Sequence, residues 1–253
     1  MIGKQYEYDA MAKCEKEMWW FKCLHEITLE KIEKLSFKEA KILDAGCGTG
    51  GMLDYLHDKG FSNLTGFDLS SDAIEHTRKN SALQVELISI LECDKFYPEN
   101  SFDIIICNDI LVLLKDNDDK LAFGKLISLL KPGGLLLMNF AAGKLFRGTH
   151  DVACEMVKRY SKDEIEKLAD GSESKIKELI YWPFLLSPLI FIVRFYQRCK
   201  MMLYKNREFE SDVKLPPPIF NNIFYQVTKF ENKKIPVKSW GSSIFAVITK
   251  NNY

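Results

Sequence analysis

The stretch Asp44-Ala45-Gly46-Cys47-Gly48-Thr49-Gly50-Gly51 decides the fold. It follows a short apolar run, Lys41 to Ala45, and precedes a helically spaced segment, Met52 to Lys59, that Gly60 stops. Strand, glycine turn and helix in that order open a βαβ unit. Glycines at such a turn let a ligand approach the backbone without Cβ obstruction, and the following helix aims its first N–H groups at that ligand. The spacing G-x-G-x-G-G is not the dinucleotide pattern G-x-G-x-x-G. No Lys-Ser or Lys-Thr follows, so the turn is not a P-loop either.

The same alternation continues downstream. Strands are predicted at 63–67, 85–90, 102–107 and 135–140. Helices are predicted from Ser71, as N-cap, to about Ser81, and from Asp118 to Leu130, closed by Lys131-Pro132-Gly133-Gly134. Five strands alternating with helices between residues 41 and 140 predict an α/β doubly wound, largely parallel sheet rather than an eight-stranded barrel. Ser161-Lys162-Asp163-Glu164 is a capping-box pattern opening a helix to about Ala169, and further strands are expected at 175–181 and 242–249. Residues 1–36 read as an N-terminal helical cap and 37–253 as the main domain. Within the latter, the aromatic and proline-bearing stretch 182–240 breaks the repeat and is read as a lid or insertion, being too short for a core of its own.

Composition narrows the class. Lys+Arg and Asp+Glu both number 35, so no basic excess points to a nucleic-acid partner. The 7 cysteines are odd in number and scattered, with no C-x-x-C and no Cys/His zinc spacing, which suits reduced thiols, a cytoplasmic chain and no metal. The N-terminus lacks the apolar core of a signal peptide. The longest apolar run, Ile180 to Val193, is interrupted by Pro183 and Pro188 and falls short of the roughly 18–20 residues that span a bilayer.

The second chemical signal is Asp68, at the end of the second strand and 22 residues after Gly46. A carboxylate about 20 residues beyond a glycine turn is placed to accept both hydroxyls of a ribose. Glycine turns are often structural, but turn and strand-end acid in this order point to a nucleoside cofactor.

Four motifs, D-A-G-C-G-T-G-G, G-F-D-L-S, S-F-D-I-I-I-C-N-D and L-L-K-P-G-G, resemble in order those of class I S-adenosylmethionine-dependent methyltransferases, over residues 38–140. The resemblance implies a seven-stranded Rossmann-like sheet with the last strand antiparallel, and S-adenosyl-L-methionine as cofactor. It implies that Gly46, Gly48 and the loop with Asp44 and Cys47 hold the methionine moiety. Asp68 would bind the ribose and Leu69 lie beside the adenine. Ser89 and Ile90 would flank that ring, and Asn108 and Asp109 would lie near the transferring methyl. Relatives often carry Glu-His after the fourth-strand acid, where this chain reads Asp109-Ile110-Leu111-Val112-Leu113. The flanks Glu15 to Phe21, His150-Asp151 with Arg159-Tyr160, and Pro216 to Ser243 resemble a narrower bacterial subgroup.

Outside the cofactor motifs, each residue has a bland reading beside the functional one. Trp20, with Trp19 and Phe21, either caps the cofactor or anchors a helix on the sheet. His150 follows the fifth strand on the ligand side, so it can serve as a general base oriented by Asp151, or be a hydrogen-bonded loop histidine. Arg159 and Tyr160 can steer an acceptor or make a structural ion pair. His25, His57 and His76 read as surface residues. The run from Tyr181 to Val193, followed by Arg194, Arg198, Lys200, Lys205 and Arg207, reads first as buried packing, then as a lid, then as a peripheral membrane contact. The expected function is methyl transfer to a small or medium-sized, fairly apolar acceptor, a hydroxyl before an amine or carbon. The alternative is a cofactor-binding protein without transfer activity.

Overall fold

The computed structural model describes residues 5–34, 38–81, 83–115, 117–203 and 214–252. Seven strands form one sheet in the order β3-β2-β1-β4-β5-β7-β6. β1 (Ile42–Ala45), β2 (Leu64–Asp68), β3 (Gln84–Leu87), β4 (Phe102–Asn108) and β5 (Leu130–Ala141) run parallel. β7 (Ser243–Lys250) inserts antiparallel between β5 and β6 (Ser174–Trp182). The order reverses between β1 and β4, and the crevice beyond the carboxyl ends at that switch point is where open α/β sheets bind ligands.

Two apolar layers hold the sheet. On one face Leu136, Met138 and Phe140 of β5 and Ile244, Ala246 and Ile248 of β7 join Phe123 and Leu126 of α5 (Asp118–Leu129) and Ile165 of α7 (Lys162–Ala169). On the other, Leu137, Phe245 and Val247 join Leu24 and Ile27 of α2 (Trp19–Glu33) and Leu53 of α3 (Gly51–Asp58). Adjacent residues of one strand thus serve opposite layers, the period-2 alternation of a sheet covered on both sides.

Several boundaries differ from expectation. The N-terminal helix is broken at Met18, whose extended ψ of 135° separates α1 (Gln5–Glu17) from α2. Ser70, not Ser71, caps α4 (Ser71–Asn80), accepting from the Ala73 N–H at 3.3 Å. β3 stops at Leu87 because Ser89 opens a 3-10 turn, its hydroxyl accepting from Leu91 N–H. β5 already pairs at Leu130, opposite Phe102, and Lys131 to Gly134 bulge out before pairing resumes at Leu135. His25 is buried rather than on the surface, stacked 5.1 Å from the Tyr55 ring, and burial pushes its pKa down to about 4.

The stretch after β6 folds as α8 (Ser187–Leu203) and α9 (Pro218–Lys234). α9 packs on α2: the Trp19 N–H donates to Asn221 Oδ1, Asn221 Nδ2 donates to Glu17 O, and Lys229 and the Tyr225 hydroxyl both donate to Glu26. Cap and insertion therefore form one layer. The expectation of buried packing for the apolar run fails in α8, where only Ser187 is buried. Lys205 and Arg207 lie outside the described residues.

Candidate cofactor and acceptor site

The glycine turn adopts a conformation that its sequence requires. Gly46, Gly48 and Gly50 have φ of +83°, +53° and +83°, a region that side chains disfavour. Backbone N–H groups of Gly46 and Cys47 both donate to the Phe67 carbonyl, tying the turn to the end of β2. A Cβ on Gly46 would fall 2.3 Å from Ile110 Cδ1, so the turn also lies directly against the loop after β4. Gly46, Gly48, Asp68, Asn108 and Asp109 are thereby gathered at the switch point.

Asp68 is half-buried and grips its own loop: Oδ2 accepts from Gly48 N–H and Oδ1 from Ser70 N–H, both at 2.9 Å. A carboxylate has about four acceptor positions, so each oxygen retains one for a ligand hydroxyl. Asp44 is buried in the floor, where burial first, then the charges of Glu15 and Asp68, raise its pKa to about 8.

Sequence reasoning quoted Glu15 in the motif Glu15 to Phe21 but assigned its carboxylate nothing. It is buried over the turn, with Oε2 accepting from the Thr49 hydroxyl at 2.6 Å and from Gly51 N–H at 2.9 Å. Burial raises its pKa to about 7 against the lowering effect of those hydrogen bonds. The first N–H of α3, that of Gly51, is thus occupied by an acid from α1. An acidic residue a few positions before the aromatic knot was the available signal.

At the end of β4, Asp109 holds a positive φ of 55°, uncommon outside glycine. Its Oδ2 accepts from Asn139 Nδ2 at 2.7 Å, and Asn139 Oδ1 accepts from Trp182 Nε1 at 2.9 Å. Trp182 in turn stacks on Trp20, ring centroids 5.2 Å apart. Trp20 therefore anchors on the sheet side through Trp182. Asn139 was also missed, although a lone amide inside the apolar strand Leu-Leu-Leu-Met-Asn-Phe was visible. Burial raises the Asp109 pKa to about 6. Among the described residues, the Oδ1 atoms of Asn108 and Asp109 are buried and have no hydrogen-bond partner, although the Ala141 N–H near the Asp109 carboxyl helps lower its pKa. Orphaned buried acceptors on consecutive residues at a site suit a ligand that donates N–H or O–H groups.

Other expected site residues are placed differently. Cys47 points into the core beside Gly66, and Ile90 packs in the opposite layer. Leu69 is exposed at 73% and Ser89 is half-buried as a turn cap. His150 lies on α6 (Thr149–Ala153) with Cys154 Sγ at 3.6 Å from its ring. The hydrogen bonds of Asp151 among the described residues run to Arg159 and Gly148. The Asp151 carboxylate is buried in a two-point pair with Arg159, Nε to Oδ1 at 2.5 Å and Nη2 to Oδ2 at 3.1 Å, and also caps Gly148 N–H. Burial pushes its pKa up, but the Arg159 guanidinium outweighs this and holds it below the ordinary range. Arg159 and Tyr160 are structural, the Tyr160 hydroxyl donating to Asp119 at 2.7 Å.

The donor set fits S-adenosylmethionine. That molecule carries a sulfonium and an ammonium, and the carboxylates of Glu15, Asp44 and Asp68 lie around the turn, with Asp109 on the adjoining loop. A ligand cation favours the ionised forms that burial disfavours.

Comparison with known proteins agrees with this geometry. Residues 42–134 match the family described as Methyltransferase domain. Phosphoethanolamine N-methyltransferase 1 of Arabidopsis thaliana is 34% identical over 119 residues, 45% of this chain and 24% of that protein. Phosphoethanolamine N-methyltransferase of Plasmodium falciparum is 33% identical over 153 residues, 57% of this chain and 56% of that protein. The chain thus spans between a quarter and somewhat over half the length of these relatives. Among solved structures, a putative methyltransferase of Haloferax volcanii, in complex with an activator protein, superposes with a TM-score of 0.61 at 15% identity, covering 98% of both chains. A putative sarcosine dimethylglycine methyltransferase from Galdieria sulphuraria gives 0.58 at 14% identity, covering 90% of this chain and 86% of that one. At such identities these structures speak for the fold.

Proposed function

We propose that the chain, whose residues 42–134 match the family described as Methyltransferase domain, is a class I S-adenosylmethionine-dependent methyltransferase that moves the methyl group of S-adenosylmethionine onto the nitrogen of a small amine. The observation that carries this reading is the pair of orphaned oxygens, Asn108 Oδ1 and Asp109 Oδ1, at the end of β4. An amine presents N–H groups to such acceptors. The bound cofactor supplies a methyl already activated on sulfonium, so the protein's task is alignment and proton handling.

Alignment falls to the turn and to Asp68, with Glu15 and Asp44 contributing negative charge near the ligand cation. Proton handling falls to Asp109. A free amine is protonated near neutral pH and must shed that proton before its nitrogen can attack. The Asp109 carboxylate, with a pKa of about 6 and so ionised near neutral pH, is the group we assign to take it. The relatives whose names specify an N-methyl acceptor support nitrogen as the target. The pairing of Asp151 with Arg159 favours this reading over a His150–Asp151 base acting on a hydroxyl.

The test is calorimetry with S-adenosylhomocysteine, followed by mass-spectrometric detection of methyl transfer to parallel panels of small amines and alcohols. Binding with turnover of amines is expected. Turnover of alcohols alone, lost in His150→Ala, would return the reaction to oxygen. Binding with no turnover of either panel would make the protein a cofactor binder without transfer.

A further inference from the structure

We propose that α8, with the turn Lys144 to Arg147 packed against it, is a docking face for an anionic lipid bilayer. The helix is amphipathic in the inverted sense. Leu189, Ile192, Val193, Tyr196 and Leu203, spaced at three, four and seven residues along one side, are all exposed, and Phe195 and Met202 flank them. Half-buried Phe191, Arg194 and Gln197 face the protein instead: Phe191 meets Phe146 edge-on at 6.4 Å, and Arg194 donates to Gln197 Oε1 at 2.8 Å. Leu145 extends the apolar strip from the neighbouring turn. A contiguous outward apolar strip of this length marks a contact with another body, not ordinary surface.

Charge selects the occupant. Arg194 faces inward, where its charge acts on Asp151, which leaves Lys144, Arg147, Arg198 and Lys200; α8 and the segment 141–150 contain no carboxylate, in a chain whose formal net charge is 0. Lys144, Arg147 and Lys200 are exposed, and Arg198 lies over the Phe191 and Phe195 rings at 5.7 and 5.8 Å. Apolar residues outward with Lys and Arg at the flanks are the composition of a helix lying in a membrane interface. Second copies of the chain fit poorly. A two-fold contact sets the same patch against itself, cation against cation with no acid between. Among the described residues no helix is long and apolar enough to cross a membrane.

The position adds a functional sense. The turn Lys144 to Arg147 follows β5, and β5 lies beside β4, Asn139 opposite Asn108. A bilayer seated on α8 therefore meets the molecule at the acceptor end of the sheet. Docking is read without turnover, so it stands or falls separately from the methyl-transfer proposal.

The experiment is flotation of the full chain with phosphatidylcholine vesicles and with vesicles containing three parts in ten phosphatidylglycerol. Alongside it, hydrogen exchange of 187–203 is followed in the unaltered chain. Association with the anionic vesicles only, weakened by salt, and new protection in 187–203 are expected. Ile192→Glu should abolish association. Arg198→Glu and Lys200→Glu should each lower partitioning by about fivefold or more. These positions are exposed or half-buried, and thermal unfolding checks that each variant stays folded. Absence of association with either vesicle and unchanged exchange would overturn the proposal. So would a dimer in sedimentation that Ile192→Glu dissolves, which would assign the face to a second copy.

Discussion

Glu15 shows how one side chain can couple two distant segments. Its carboxylate accepts from the Thr49 hydroxyl and Gly51 N–H, so truncation leaves two buried donors without partners. Glu15→Ala is expected to lower stability by about 1–3 kcal/mol, the cost of orphaned buried polar groups, while Glu15→Gln, which keeps an acceptor, costs less. Urea unfolding of both variants decides; equal losses would show that charge rather than hydrogen bonding matters. Asp68 belongs to the same scale. Asp68→Ala should weaken binding of S-adenosylhomocysteine by about 1.5–3 kcal/mol, measured by calorimetry. Unchanged affinity in a folded variant would remove Asp68 from the ligand. Asp68 was legible from sequence because a strand end and a glycine turn fix its place locally. Glu15 was not, because 34 residues separate it from Thr49 and no local pattern reveals where α1 will lie.

Elements are joined by a few buried polar ties. Glu231 of α9 is fully buried and accepts from Phe184 N–H, Leu185 N–H and Lys238 Nζ, the last at 3.2 Å. It therefore fixes the approach to α8 as well as its own helix. Removing one member of a buried charge pair strands the other, so Glu231→Ala should cost about 3–5 kcal/mol and Lys238→Met less than that if repacking is good. Chemical unfolding measures both. A loss below about 1 kcal/mol in Glu231→Ala would mean that the turn before α8 is held by packing alone. The strands and α3 to α5 were readable because their periodicity is repeated, and the stops of α3 and α5 are glycine-bearing turns. The pairing of α2 with α9 was not: Trp19 and Asn221 lie 202 residues apart, and helical spacing says which face is apolar but not which partner covers it.

For the molecule as a whole, the buried acids of the site set a pH dependence. Glu15, Asp44 and Asp109 have folded pKa values of about 7, 8 and 6, raised from 4.5, 3.8 and 3.8 by burial. Groups raised on folding stabilise fully below their unfolded values, and that contribution is lost as pH rises through the folded ones. The ligand-free protein should therefore melt lower at pH 8.5 than at pH 7, by at least the roughly 2–4 °C that one kcal/mol moves a chain of this size. Above pH 7 His25 is neutral folded and unfolded alike and does not oppose the trend. S-adenosylmethionine, as a cation, should flatten the slope and bind more tightly as pH rises. Scanning calorimetry at both values decides, and a melting temperature that climbs with pH would refute the assignment. The sequence by itself determined the alternating α/β architecture, the glycine turn and the acid at the end of β2, because each is written in neighbouring residues whose spacing dictates backbone geometry. Only the tertiary structure decided that Asp151 belongs to Arg159, that Asn139 and Trp182 support Asp109, that Glu15 caps α3, and that α8 turns its apolar side outward. Those are choices among partners far apart in the chain, made by packing and by the high cost of leaving buried charge and polar atoms unpaired.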